Sequence, residues 1–290
     1  MPKANVNGIE IAYELRGSGP TLALSHGWTN PPQFWRPAVV EELAQHLRLL
    51  IYDVRGHGDT TAPDDPEAYS MPTYAQDLRA LLDALDIEQA HIGGISQGGM
   101  ISAQFAVDYP ERTRSLLLCD SSFGNGADEG PGGQWERNLQ TGLEAMEGIA
   151  REEGLAELAD RRIQGDRERN PHYNKHPLPP EERERRDRER HARISLPAFV
   201  GTSRAMRLRP DLSGRIRDLQ APTLVLVGEW DDFVPCAERD HRLIEGSRYV
   251  LVRRSAHGAY DWRPDAFVRA VTEFIADVEA GREVAGEFEL

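Results

Sequence analysis

Cysteine, lysine and long apolar runs are the scarce features of this sequence, and each scarcity excludes something. Only Cys119 and Cys236 occur among 290 residues. Two thiols so far apart form neither a disulfide framework nor a metal-type spacing, and a reduced, cytoplasmic protein is expected. No run of about 18 apolar residues is present, and Met1 to Asn7 holds no apolar leader core, so neither a membrane span nor a secretory segment is expected. Lysine is confined to Lys3 and Lys175 among 34 basic residues, so the rest are arginine, which stays charged and pairs bidentately with carboxylates. Acidic residues number 48, leaving a net charge of −14. That sign argues against nucleic acid or an anionic membrane as partner. None of the nine histidines stands at metal-ligand spacing, so no metal or other cofactor is expected. A small molecule is the expected partner, and a homodimer is left open.

What is present is a regular alternation. Residues 9–15 alternate apolar and polar, as a half-buried strand does. TLALS (21–25), LRLLIY (47–52), AHIGGI (90–95), SLLLC (115–119), TLVLV (223–227) and YVLV (249–252) are short and apolar on both faces, which suits parallel strands covered by helices. Between them Tyr74, Leu78, Leu81, Leu82 and Leu85 fall on one helical face, as do Phe267, Val268, Val271, Phe274 and Ile275. Strand and helix in turn predict an open, mostly parallel α/β sheet. Residues 123–212 break the rhythm with no strand-like run. They hold ten consecutive charged residues, Glu181 to Arg190, in which Glu181–Arg185, Glu182–Arg186 and Glu184–Arg188 are spaced for i,i+4 ion pairs. We read 1–122 with 213–290 as the core and 123–212 as an inserted helical cap.

Gly94-Ile95-Ser96-Gln97-Gly98 falls where a buried strand gives way to a helix. That turn is tight enough to strain the serine backbone and to demand small residues two positions before and after it. A serine hydroxyl needs a base, and His257, after the last apolar run, stands at the strand end where open α/β sheets bind ligands. His26 and His57 also follow strands but sit in glycine turns, and are read as loop-bracing groups. The base needs an acid: Asp231, three residues past Gly228, is preferred, with Asp120 and Asp232 kept as alternatives. The backbone N–H groups of Gln97 and Trp28 are the expected oxyanion donors.

Together, His26-Gly27-Trp28, Asp53-Val54-Arg55-Gly56-His57-Gly58, Gly94 to Gly99, Gly228 to Pro235 and Ser255-Ala256-His257 resemble the α/β-hydrolase superfamily, across essentially the whole chain. The resemblance implies an eight-stranded sheet flanked by helices, with Ser96 after strand five, Asp231 after strand seven and His257 after strand eight. The middle segments look most like esterases, enol-lactonases and carbon–carbon bond hydrolases. The expected activity is hydrolysis of a carboxylic ester or lactone of a small-to-medium, partly apolar substrate through an acyl-enzyme. The alternatives are carbon–carbon cleavage of a ring-cleavage product and a slow-turnover binding protein on the same fold. Trp28, Trp135, Met146, Phe199, Met206 and Trp230 are the expected pocket walls.

Overall fold

The structure, a computed structural model, describes residues 1–30 and 35–290. Its centre is a nine-stranded sheet in the order β1-β2-β4-β3-β5-β6-β7-β8-β9. The strands are β1 (Lys3–Val6), β2 (Ile9–Arg16), β3 (Thr21–Ser25), β4 (Arg48–Tyr52), β5 (Ala90–Ile95), β6 (Thr113–Cys119), β7 (Thr223–Gly228), β8 (Arg248–Val252) and β9 (Gly286–Glu289). The pairs β1–β2 and β2–β4 are antiparallel and every other pair is parallel. Eight strands were expected and nine are present. β9 adds a parallel strand beyond β8, and its residues are mostly exposed, so it carries little of the apolar pattern by which a strand is read. β1 reaches β2 through Asn7 and Gly8, both at positive φ (46° and 75°), which is the backbone that a tight two-residue hairpin requires.

Alternation along the strands explains the layers. Leu116, Leu118, Val225 and Val227 enter one apolar cluster, with α2 (Met71–Ala84) and α3 (Gln97–Asp108). Their neighbours Leu117, Cys119, Leu224 and Leu226 enter the other, with α1 (Pro37–Leu43) and α11 (Pro264–Glu279). Successive side chains leave a strand on opposite faces, so a strand apolar throughout is one buried on both sides. β5 lies mid-sheet and is buried along its whole length.

Between β6 and β7 the described chain forms helices and no strand: α4 (Pro131–Glu152), α5 (Leu155–Arg169), α6 (Pro180–Ala192), α7 (Leu196–Arg207) and the short α8 (Ser213–Ile216). The first of these is joined to α9 (Val234–Leu243) by a buried ionic cluster. Arg239 donates to both oxygens of the fully buried Glu136 at 3.0 Å, and to Asp240 at 2.6 Å. Ser122 and the Gly126 N–H also donate to Glu136, and Arg209 lies 3.5 Å from it. Burial opposes the Glu136 charge, but Arg239 and Arg209 outweigh it and hold the carboxyl below its usual range.

The charged run of α6 is laced with ion pairs. Glu182–Arg186 (3.4 Å) and Glu184–Arg188 (3.8 Å) pair at the expected spacing. Arg185 does not take Glu181; it bonds Glu182 and Glu189, because a long side chain at i can reach i−3 as well as i±4. α10 (Ala259–Trp262) and α11 complete the chain before β9.

Candidate active site

The strand-to-helix turn after β5 is closed by three glycines. A Cβ on Gly94 would stand 2.1 Å from the Gly98 carbonyl carbon, one on Gly98 would be 2.2 Å from Ser25 O, and one on Gly99 would be 2.4 Å from the Ser121 side chain. No side chain fits at any of the three. Between them Ser96 has φ 55° and ψ −118°, a conformation costly for a residue bearing a Cβ. The backbone around it is fixed: Ser96 N–H donates to Cys119 O (3.0 Å) and Ser121 Oγ donates to Ser96 O (2.6 Å). Gln97 then opens α3, where the first N–H groups have no partner inside the helix.

Two further loops meet at the same end of the sheet. After β7, Asp231 accepts a hydrogen bond from Phe233 N–H on Oδ1 (3.0 Å). Its Oδ2 accepts from His257 Nδ1 (2.9 Å), which leaves Nε2 of the ring free. Gly228 lets the loops approach, since a Cβ there would lie 2.6 Å from both Ser255 O and Ala256 O. Burial works against the imidazolium, but the field and hydrogen bond of Asp231, with the field of Asp120, raise the His257 pKa to about 9.

Neither alternative acid is hydrogen-bonded to His257 among the described residues, although Asp232 lines the same cavity. Asp120, at φ 45°, points both carboxylate oxygens at main chain, accepting from Gly228 N–H (3.0 Å) and Ala259 N–H (2.8 Å). It ties the acid loop to the histidine loop and makes no bond to the imidazole. Burial, followed by the nearby charge of Asp231, raises its pKa to about 7. Asp232 is exposed.

His26 and His57 brace the remaining loop. His26 Nε2 accepts from Val54 N–H (3.0 Å) while its Nδ1 faces Gly27 O (2.8 Å), and His57 Nε2 accepts from Thr29 N–H (3.2 Å) while its Nδ1 faces Arg55 O. These bonds require neutral rings protonated on Nδ1, and burial lowers both pKa values. The loop they hold, 26–30, runs past the nucleophile turn: a Cβ on Gly27 would lie 3.5 Å from the Ser96 Cβ.

Ser96, His257 and Asp231 line one cavity of about 200 Å³. No hydrogen bond joins Ser96 to His257 among the described residues. Such contacts are often loose before substrate binds. Trp28, Trp135, Met146 and Met206 are on its wall, and so are Met100, Leu139, Leu143 and Phe233, which the sequence did not single out. Phe199 is not: it is fully buried behind Trp28, its ring 4.7 Å from the indole. Trp230 lines a neighbouring cavity instead, stacked on His172 at 3.9 Å. Arg162 of α5, which the sequence reading passed over among so many arginines, lines both cavities. No group of three or more metal-ligating side chains is found among the described residues.

A fold of this order, with a strained serine after its central strand, defines a class. The chain belongs to the α/β-hydrolase fold family, whose model matches residues 20–264. It is 28% identical over 280 residues to a putative 2-succinyl-6-hydroxy-2,4-cyclohexadiene-1-carboxylate synthase of Bacillus subtilis (92% of this chain, 96% of that one). It is 27% identical to the pimeloyl-[acyl-carrier protein] methyl ester esterase of Aeromonas hydrophila (92% of this chain, 100% of that one). Among solved structures it is similar to a thermophilic esterase from Thermogutta terrifontis with malate bound, at TM-score 0.80 and 26% identity (96% and 98% covered). It is also similar to the enol-lactonase from Burkholderia xenovorans LB400, at TM-score 0.78 and 26% identity (95% and 100% covered).

Proposed function

We propose that this protein is a serine hydrolase acting on a carboxylic ester or lactone through an acyl-enzyme on Ser96. The observation that carries the reading is the left-handed Ser96 sharing a cavity with a histidine whose far nitrogen is held by a buried aspartate. Relatives named as an esterase and an enol-lactonase support it. Ser96 Oγ attacks the carbonyl carbon as His257 Nε2 takes its proton, and Asp231 stabilises the resulting imidazolium. The N–H groups of Gln97 and Trp28 receive the oxyanion, Trp28 being held in place by the His26 and His57 braces. His257 returns the proton to the leaving alcohol, and water then releases the acid by the same steps in reverse order. In this reading α4 to α7, within residues 123–212, form a cap that supplies the apolar wall of the site. Carbon–carbon cleavage of a vinylogous diketone would employ the same three residues, so the substrate and not the triad separates the two activities.

A fluorophosphonate probe followed by peptide mass mapping tests the nucleophile. A single adduct on Ser96 is expected, absent in Ser96→Ala. An adduct elsewhere, or ester turnover that survives Ser96→Ala, overturns the reading. A panel of esters, lactones and a ring-cleavage dienoate, ranked by kcat/KM, then tests the reaction type. A dienoate preferred by several orders would replace esterolysis.

A further inference from the structure

Three cavities open beside His257, of about 200, 360 and 650 Å³, and Arg162 lines all three. The carboxylates whose charge acts on it, Asp187 and Asp166, each stand beside another arginine, and Asp232, which shares two of these cavities, is exposed. Asp187 pairs with Arg190, and Asp166 lies 4.0 Å from Arg183. Asp261 is bonded to Arg36 and lies 3.6 Å from Arg186. Among the described residues no carboxylate oxygen stands within 4.0 Å of the Arg162 guanidinium. Its contacts are soft ones: Nη1 is 3.6 Å from Met146 Sδ, and the guanidinium lies over the Trp28 indole at 5.8 Å from the ring centroid. Neither supplies a counter-charge. Its half-buried setting lowers its pKa, with Arg190 adding to the shift and Asp187 and Asp166 opposing it. In a chain of net charge −14, where most arginines stand within 4.0 Å of a carboxylate among the described residues, this one does not, and it faces the cavity that holds Ser96.

We propose that Arg162 is the substrate-anion site: it receives a carboxylate carried by the substrate at the end remote from the scissile bond. The inference rests on the serine-hydrolase reading and adds a substrate class to it, a half-ester or lactone acid with an aliphatic middle. The middle is set by the cavity wall, where Leu139, Leu143, Met146 and Met206 offer only hydrocarbon and sulfur. Guanidinium reads a carboxylate in a two-point geometry, which orients the chain as well as binding it. A singly charged carboxylate suits the site better than a phosphate dianion. Asp166 and Asp187 stand near enough to act on the Arg162 charge and would repel the second negative charge.

The test is a matched pair, monomethyl adipate against methyl hexanoate, which differ by a carboxylate in place of a methyl group. The wild type is expected to favour the acid by roughly 10- to 100-fold in kcat/KM, the worth of one charge-assisted contact. Arg162→Gln is expected to collapse that ratio through KM, and Arg162→Lys to keep part of it, which also covers a Gln variant that fails to fold. A wild type indifferent to the carboxylate, or a ratio unchanged in both variants, overturns the proposal. Calorimetry with adipate separates this from a failure of the hydrolase reading. If neither ester is cleaved, adipate binding that weakens in Arg162→Gln still supports the anion site, and no adipate binding sinks it. Inorganic phosphate binding more tightly than adipate would sink the carboxylate assignment.

Discussion

Along β5 and β7 every residue is buried, and His91 alone among them carries an ionisable side chain. Along α4 and α7 the buried set includes Glu136 and Glu147, the second bonded by Ser203 (2.7 Å) and Arg207 (2.9 Å). One region is held by hydrocarbon packed from two sides, the other by carboxylates satisfied by arginine and serine. The difference teaches where each kind of precision is needed. The turn around Ser96 tolerates no displacement, and it is built from backbone and three glycines. At the helices between β6 and β7 arginine stands in two ways, bound to Glu136 at Arg239 and with no carboxylate within 4.0 Å at Arg162 among the described residues.

Breaking the comparison at its strongest point means Ser96→Ala. We expect a loss of about 10³-fold or more in ester turnover with thermal stability unchanged. Activity that persists would move the chemistry out of the sheet. Glu136→Gln attacks the other region. Removing one member of a buried ionic cluster costs about 3–5 kcal/mol, and denaturant titration would show it. A loss under 1 kcal/mol would mean that α4 is held by its apolar face alone.

The pH profile sharpens the contrast more gently. A general base must be neutral, so kcat/KM is expected to rise with pH through a limb near 9, the pKa to which His257 is raised. Asp231→Asn should carry that limb toward lower pH as the maximum falls. A limb at or below 6.5 in the wild type would show that the carboxylate field does not reach the ring. The same pairing stabilises the fold fully below the unfolded histidine pKa, and that contribution fades as pH rises through about 9. The smallest effect belongs to the outer pairs. Arg185→Gln is expected to leave the denaturation midpoint within error of the wild type, because Arg185 is exposed and its ion pairs are screened.

Most of the sheet was legible because burial on both faces leaves an unbroken apolar run, and because the glycines around Ser96 report a turn. The edges were not. β9 is short and polar, and β1 lay behind an Asn-Gly pair whose hairpin signal went unread. Phe199 could be named as an apolar wall, but the sequence could not say whether it met a cavity or a neighbour, and it met Trp28. Asp231 could be ranked above Asp120 by position, yet only the fold shows that Asp120 is occupied by two backbone N–H groups. Arg162 was invisible for a different reason. Its meaning lies in the partner it lacks, and a missing partner is a property of three dimensions.

The two cysteines take on a use from where they sit. Cys119 ends β6 inside the sheet, and Cys236 lies at the seam where α9 meets α4, its thiol 3.4 Å from Gly132 O. Burial pushes both thiols well above their usual pKa, so in the closed protein each is inert. An alkylating reagent can therefore act as a clock with two hands. If Cys236 is modified long before Cys119, the helices lift from a sheet that is still intact; if both react together, helices and sheet open as one.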